Sequence, residues 1–359
     1  MMRALIVGGS LAGLATGLAL ARAGYEVEIL ERSGPRPRTG GALVATFAEL
    51  VGAIGREHAE TVVAHTGRRD GGVPVLWSTL REGLRRAVDD DPLVTLHHGV
   101  RVTTVHDAGR SAHARAGDGR SWSADAVIGA DGHRSLVRRS IAPRHPDATY
   151  AGYTLWIGEA RQSQLDGASR PGGGLLMRSG GPHVLLGYPM PEPGGDALLG
   201  WAWYDPTRNG LLRERGNVIG SVVQHSMRAS DAPERVLAEL YREAKRHWPS
   251  PWMEAIQHSV RRRAVTGIPI AEYVPERLVS GRLAIVGNAA HVPTPMTGSG
   301  FAASLDDAAA LGHALHDAGH ADVPAALRVF EAERLWAAQS LVESGHAFSR
   351  SFALDRSAV

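Results

Sequence analysis

Near its start the chain carries a run of small residues, Gly8-Gly9-Ser10-Leu11-Ala12-Gly13, and an acid, Glu31, follows Gly13 by 18 positions. Arg3 to Val7 before the run is short and apolar, which predicts a buried strand. Leu14 to Ala23 reads as a helix closed by Gly24, and Val27 to Leu30 as a second strand ending on Glu31. A strand, turn, helix and strand within about 30 residues suit a dinucleotide. Gly8 permits the tight turn, Gly13 lets the helix pack on the strand, and the helix N-terminus favours a pyrophosphate, with Leu11 and Ala12 of the turn beside it. Glu31, with Arg32 beside it, is positioned to accept hydrogen bonds from ribose hydroxyls. Ser10 replaces the usual middle glycine, so its side chain crowds the pyrophosphate unless its hydroxyl joins in the binding. The unit alone does not separate FAD from NAD.

Two further segments bear on that choice. Ala124 to His133 (ADAVIGADGH) is an apolar strand ending on Asp131-Gly132, with Ser135 and Arg138 following. Gly281 to Gly300 (GRLAIVGNAAHVPTPMTGSG) opens on a buried strand, Leu283 to Val286, and runs through a loop rich in proline and glycine. A helix from about Phe301 to Leu315 comes next. Together the three segments resemble the aromatic hydroxylases among the flavoprotein monooxygenases. That family has a glycine-rich ADP fingerprint, a second Asp-Gly motif, and Gly-Asp-Ala-Ala-His leading into Pro-x-x-Gly-x-Gly. The corresponding residues here are Gly8 to Gly13, Asp131-Gly132, and Gly287 to His291 followed by Pro295, Gly298 and Gly300, in the family order. GYPMPEPGG (187–195), GWAWYDP (200–206) and Trp77, at a place where many relatives carry an FAD-contacting arginine, resemble more finely the 2,6-dihydroxypyridine 3-monooxygenase-like members.

The resemblance implies an α/β protein with a Rossmann-like FAD-binding domain of the glutathione-reductase type, 1–149 and 266–359, interleaved with an antiparallel-sheet substrate domain, 150–265. It implies FAD as cofactor and NADH or NADPH as a transient co-substrate. O₂ then adds to flavin carbon 4a, and the hydroperoxide passes one oxygen to an electron-rich aromatic molecule. Pro295, Gly298, Ser299 and Gly300 are expected to bring backbone N–H groups and a helix start beside the flavin, stabilising negative charge on its reduced form. The family's ribityl-binding aspartate is Asn288 here, which keeps an acceptor but gives up charge assistance of order 1 kcal/mol. Ala302 replaces a family asparagine, and His291 is expected to anchor the loop. An FAD enzyme of the same fold without net oxygenation (an oxidase, isomerase or cyclase) remains the alternative.

In the substrate domain, strand-like stretches at 154–157, 174–177, 184–188 and 198–204 are divided by Gly/Pro turns, and a helical stretch spans 233–248. Trp201 and Trp203 share one face of their strand and Tyr204 takes the other. Tyr188 or His183 is a candidate to polarise or deprotonate a phenol-like hydroxyl, and Trp203 to stack on a flat substrate. Ordinary packing is the competing reading for each of them.

Composition frames these elements. With 359 residues, 43% of them hydrophobic, the chain can bury one large or two interleaved cores. It has no cysteine, which excludes disulfides, thiolate nucleophiles and iron–sulfur clusters. The 17 histidines are scattered without metal-ligand spacing. A net charge of +2 with interspersed signs gives no stripe for nucleic acid. Arg261 to Arg263 reads as a solvated edge, and a role in drawing NADPH phosphates is its other reading. No apolar run reaches the roughly 18 residues of a membrane helix. The expectation is a cytoplasmic monomer or homodimer acting on a small aromatic molecule.

Overall fold

The computed structural model describes residues 1–34, 41–67, 74–165, 167, 169, 171–172, 174–191, 196–317 and 322–354. Residues 192–195 of the GYPMPEPGG segment therefore lie outside the described residues. Two compact units result. The first draws on the described residues within Met1–Thr39, Leu43–Ala148 and Glu272–His346. The second draws on those within Gly40–Ala42, Thr149–Ala271 and Ala347–Val359.

In the first unit the strands run in the order Val279–Ser280, Leu283–Ile285, Ala126–Gly129, Met2–Val7, Tyr25–Glu31, Val94–His98. All neighbours are parallel except the short Val279–Ser280 edge. A parallel strand is covered on both faces, so its sequence is apolar without alternation. Ala4, Leu5, Ile6 and Val7 and all of Ala126–Gly129 are buried accordingly. Helix Leu11–Arg22 returns the chain from Met2–Val7 to Tyr25–Glu31 and packs against helix Gly300–Asp317, where Gly312 lies on the Ala19 backbone. The helix begins three residues earlier than the sequence predicts, because Ser10 is already its N-cap. A separate three-stranded antiparallel sheet, Val102–Asp107, Ala112–Ala116 and Ser121–Ala124, also belongs to this unit.

The second unit is built on an antiparallel sheet that runs from the edge strand Leu176–Gly180 through His183–Pro191 and Ala197–Asp205 to Thr149–Arg161. Each strand is longer than its sequence prediction or displaced from it by a few residues. Helices Glu234–His247 and Trp252–Arg261 cover one face, placing Trp248 against Gly180 and Trp252 against Gly187. Only the first of these two helices is predicted from the sequence. At one end of the opposite face, Phe348 and Phe352 meet Tyr153 and Tyr204 edge-on, with ring centroids 5.2–6.3 Å apart. Those two phenylalanines belong to helix Val323–Leu354. Among the described residues no helix is long and apolar enough to cross a membrane.

Candidate functional site

The parallel strands of the first unit deliver the three sequence segments to one end of the sheet. A Cβ on Gly13 would lie 1.9 Å from the Gly8 carbonyl oxygen, so no larger residue fits there. Gly8, at φ +111°, abuts the Ala130–Asp131 backbone, which puts the first and second motifs in contact. Leu14 donates to the Ser10 carbonyl at 2.9 Å, leaving the N–H groups of Leu11, Ala12 and Gly13 outside the helical ladder. Ser10 caps the helix through its backbone only, and its hydroxyl makes no cap bond. The crowding expected from this serine therefore comes with a free donor at the place where a pyrophosphate would sit.

Glu31 is buried, and its two carboxylate oxygens accept from Gly9 N–H and Ser33 N–H, each at 2.8 Å. Those bonds fix its orientation and leave lone pairs for ribose hydroxyls. Arg32 beside it is exposed. Asp131 accepts from Leu136 N–H at 2.6 Å through Oδ2, whereas Oδ1 is buried without a partner. Burial pushes its carboxyl up, against the bonds from Ser135 and Leu136. An orphaned buried carboxylate oxygen beside a glycine turn is what a hydroxyl-bearing ligand would satisfy.

Arg138, which follows the second motif, ties it to the third. Its guanidinium is fully buried and donates to the carbonyls of Ala289 (2.9 Å), His133 and Pro146 (2.7 Å) while lying 4.2 Å over the Tyr273 ring. In the third motif Gly287–Ala289 forms a single short turn in which Gly287 and Ala289 are buried. Asn288 between them is exposed, and among the described residues its side chain has no hydrogen-bond partner. Pro295–Thr297 forms another turn. Pro295, Gly298 and Ser299 are exposed, and Gly300 starts the long helix. Gly298 adopts φ +66°. Trp77 begins helix Trp77–Asp90 with its ring half-buried against the unit's core.

The residues present thus fit FAD: a turn without side-chain bulk, free helix-start N–H groups, an oriented acid and an exposed amide. Among the described residues no cluster of three or more histidines and acids is placed to hold a metal.

In the second unit the sheet separates the remaining candidates. His183 and Trp203 lie on the helix-covered face. There the His183 ring meets Trp203 at 5.3 Å and His247 at 5.3 Å, and Trp203 meets Trp248 at 5.5 Å. Trp203 Nε1 and His183 Nδ1 have no hydrogen-bond partner, and the edge-to-face rings give N–H groups in this cluster aromatic faces instead. Burial lowers the His183 pKa, although Asp205 at 3.6 Å opposes the shift. Tyr188 is on the opposite face, so the structure does not bring it together with His183 or Trp203. Its ring lies over Gly200, where a Cβ would come within 2.0 Å of it. Glu159, paired with Gly200 on the neighbouring strand, shares that face and went unnoticed in the sequence because it sits in an otherwise apolar stretch. Its carboxyl is pushed up by burial.

A fold with this switch from a parallel dinucleotide unit to an antiparallel sheet unit defines a two-unit FAD-binding flavoprotein. A family model described as "FAD binding domain" matches residues 188–344. The aurachin C monooxygenase/isomerase of Stigmatella aurantiaca is 28% identical over 95% of this chain and 87% of its own. The 2,6-dihydroxypyridine 3-monooxygenase of Paenarthrobacter nicotinovorans is 27% identical over 96% and 88%. The solved 2,6-dihydroxypyridine-3-hydroxylase from Arthrobacter nicotinovorans shares the fold, with a TM-score of 0.77 at 22% identity over 98% of this chain and 93% of that one. So does Klebsiella pneumoniae HpxO complexed with FAD and uric acid, with a TM-score of 0.74 at 24% identity over 99% and 90%. Over nearly its whole length the chain is similar to flavoprotein monooxygenases, and its cofactor is FAD.

Proposed function

We propose that this enzyme hydroxylates an aromatic, heteroaromatic or polycyclic small molecule, using NADH or NADPH and O₂. The convergence of the Gly8–Gly13 turn, Glu31, Asp131 and Asn288 at one end of the parallel sheet carries the reading. The names of full-length relatives, which act on dihydroxypyridine, urate and hydroxybenzoate, support it. FAD, when bound, supplies the redox chemistry that joins the nicotinamide to O₂. The chain's own residues bind and orient. Ser10 and the N–H groups of Leu11 to Gly13 take the pyrophosphate, Glu31 the ribose, and Asn288 a ribityl hydroxyl. Pro295 to Gly300 presents backbone and the positive end of helix Gly300–Asp317, which stabilises negative charge on a reduced flavin.

On the substrate side the reading assigns Tyr188. Burial and the nearby Glu159 raise its pKa, against a bond from Ala42 N–H, so at neutral pH it keeps its proton. It therefore donates a hydrogen bond to a substrate oxygen rather than acting as base. Glu159 is the group on that face suited to receive a proton from a phenol-like hydroxyl. His183 and Trp203, packed under the helices, support that face from behind.

The test is NADH and NADPH consumption by the FAD-loaded enzyme against a panel of phenols, hydroxypyridines and purines. The expected result is substrate-stimulated oxidation with a product heavier by one oxygen atom. A bound flavin with no stimulation across the panel, together with a rearranged product of unchanged mass, would instead establish the reading without net oxygenation. The "monooxygenase/isomerase" name of one relative favours that second reading.

A further inference from the structure

Asn288 sits on a turn whose position no contact of its own side chain fixes. Immediately before it, Gly287 holds φ +55°, and a Cβ there would lie 2.6 Å from Ala12 and 3.0 Å from the Ser304 hydroxyl. The turn is thus pressed against the first turn of the dinucleotide helix. What holds it there is a carboxylate on another element. Asp307, on helix Gly300–Asp317, is completely buried. Its Oδ2 accepts from Gly287 N–H at 2.9 Å and from His291 Nε2 at 2.8 Å. Its Oδ1 accepts from Arg334 Nε at 3.0 Å, and Arg334 also reaches the Ala303 carbonyl at 3.3 Å.

One carboxylate therefore grips the peptide before Asn288, a side chain three residues after it, and the C-terminal helix. Burial alone would push its carboxyl up, but His291, Arg334 and the Gly287 N–H outweigh that and hold it below the usual carboxylate range. It stays a charged acceptor, which makes its bonds the strong, short kind. His291 is the anchor the sequence predicts for this loop, and Asp307 is what it anchors to.

We infer that Asp307 is the positioning residue of the FAD cradle: it touches no cofactor atom, and it sets the Gly287–Asn288 peptide against Ala12 so that Asn288 meets the ribityl chain. This rests on the reading of Asn288 as an FAD ligand. A charge-assisted tether of this kind leaves two marks. Its loss weakens FAD binding, and the weakening disappears once Asn288 has nothing to offer.

The test is a double-mutant cycle on the dissociation constant for FAD, read by quenching of flavin fluorescence as apoprotein is titrated. Thermal unfolding of each apoprotein is followed separately. Asn288→Ala and Asp307→Asn are each expected to weaken binding about tenfold. The double variant is expected to remain near tenfold, whereas independent effects would multiply to about a hundredfold. Multiplication, or unchanged binding in Asp307→Asn, overturns the inference while leaving Asn288 as a ligand. Unchanged binding in Asn288→Ala defeats the reading beneath it and the inference with it. Should the Asp307→Asn apoprotein fail to fold, His291→Gln, which alters one tether only, replaces it in the same cycle. Multiplication there overturns the inference in the same way.

Discussion

In the first unit Glu31 ends a parallel strand and Asp131 and Asn288 stand just beyond the ends of two others, while in the second His183, Tyr188 and Trp203 stand within strands of an antiparallel sheet. Residues at strand ends gain their geometry from backbone groups. Glu31 is held by two N–H groups, and Asn288 by a peptide that Asp307 grips. Strand residues gain theirs from the face on which register puts them. Trp203, Leu185, Trp156 and Leu199, on the helix-covered face, are 0% exposed, whereas Tyr188, Ala202, Ile157 and Leu198, on the other, keep 7–8%. Among the proposed site residues, those for the cofactor are distinguished by what holds them, and those for the substrate by which way their strand turns them.

The comparison breaks most sharply at the glycine turn. Gly13→Val forces a side chain into the Gly8 carbonyl, so helix and turn must separate. FAD affinity is expected to fall by up to about a hundredfold, since forcing a side chain into a packed contact typically costs about 1–3 kcal/mol. Isothermal titration of the apoprotein with FAD would show this, and near-normal affinity would mean that the turn does not hold the pyrophosphate. The second unit should lose nothing comparable in its own packing, so its tryptophan fluorescence should be retained.

On the sheet face opposite the covering helices the expected effects are smaller and of another kind. Gly200→Ala displaces the Tyr188 ring, and Tyr188→Phe removes its hydroxyl. Each should lower kcat/KM by about tenfold to a hundredfold with FAD affinity unchanged. Steady-state kinetics on a substrate found in the panel decide it, and an unaltered kcat/KM in both would take Tyr188 off the substrate side. His183→Phe sharpens the contrast from the covered face. It should lower the unfolding free energy by about 1–3 kcal/mol in urea melts while leaving kcat/KM within about twofold. A large kinetic loss with normal stability would return His183 to the chemistry.

These differences also explain what the sequence revealed. Gly8, Gly13, Glu31, Asp131 and Asn288 were legible because a turn beside a dinucleotide admits few residue types at fixed spacing. The alternation of Trp201 and Trp203 against Tyr204 was legible too, since period two is a local property. Which face the helices cover is not local. It depends on Trp252–Arg261, a helix obscured by its prolines and tryptophan, and on a register that pairs Tyr188 with Gly200. Asp307 was hidden for a related reason. In sequence it is one of two adjacent acids in an alanine-rich helix, and only the fold shows that Asp306 is exposed and Asp307 buried. Glu159 likewise means little until Gly200 is seen opposite it.

The smallest expected effect concerns His133, two residues beyond Asp131, and it asks whether loop residues report on the cofactor electrostatically. Burial, and then the charges of Arg138, Arg134 and Arg32, push its pKa down to about 4. Its Nε2 is buried without a partner. A histidine whose folded pKa lies below its unfolded value of about 6.5 binds more protons when unfolded. Its contribution to stability is therefore complete above about pH 6.5 and is lost as the pH falls toward about 4. Between about pH 7.5 and about pH 5.5 the apoprotein should lose about 1 kcal/mol from this group, and His133→Gln should flatten the pH dependence by that amount. Bound FAD brings negative phosphates toward the same arginines, so the holoprotein should show a shallower slope than the apoprotein. Urea melts across that pH range, with and without FAD, test both points. An unchanged slope in the holoprotein would place the pyrophosphate away from His133 and its arginines.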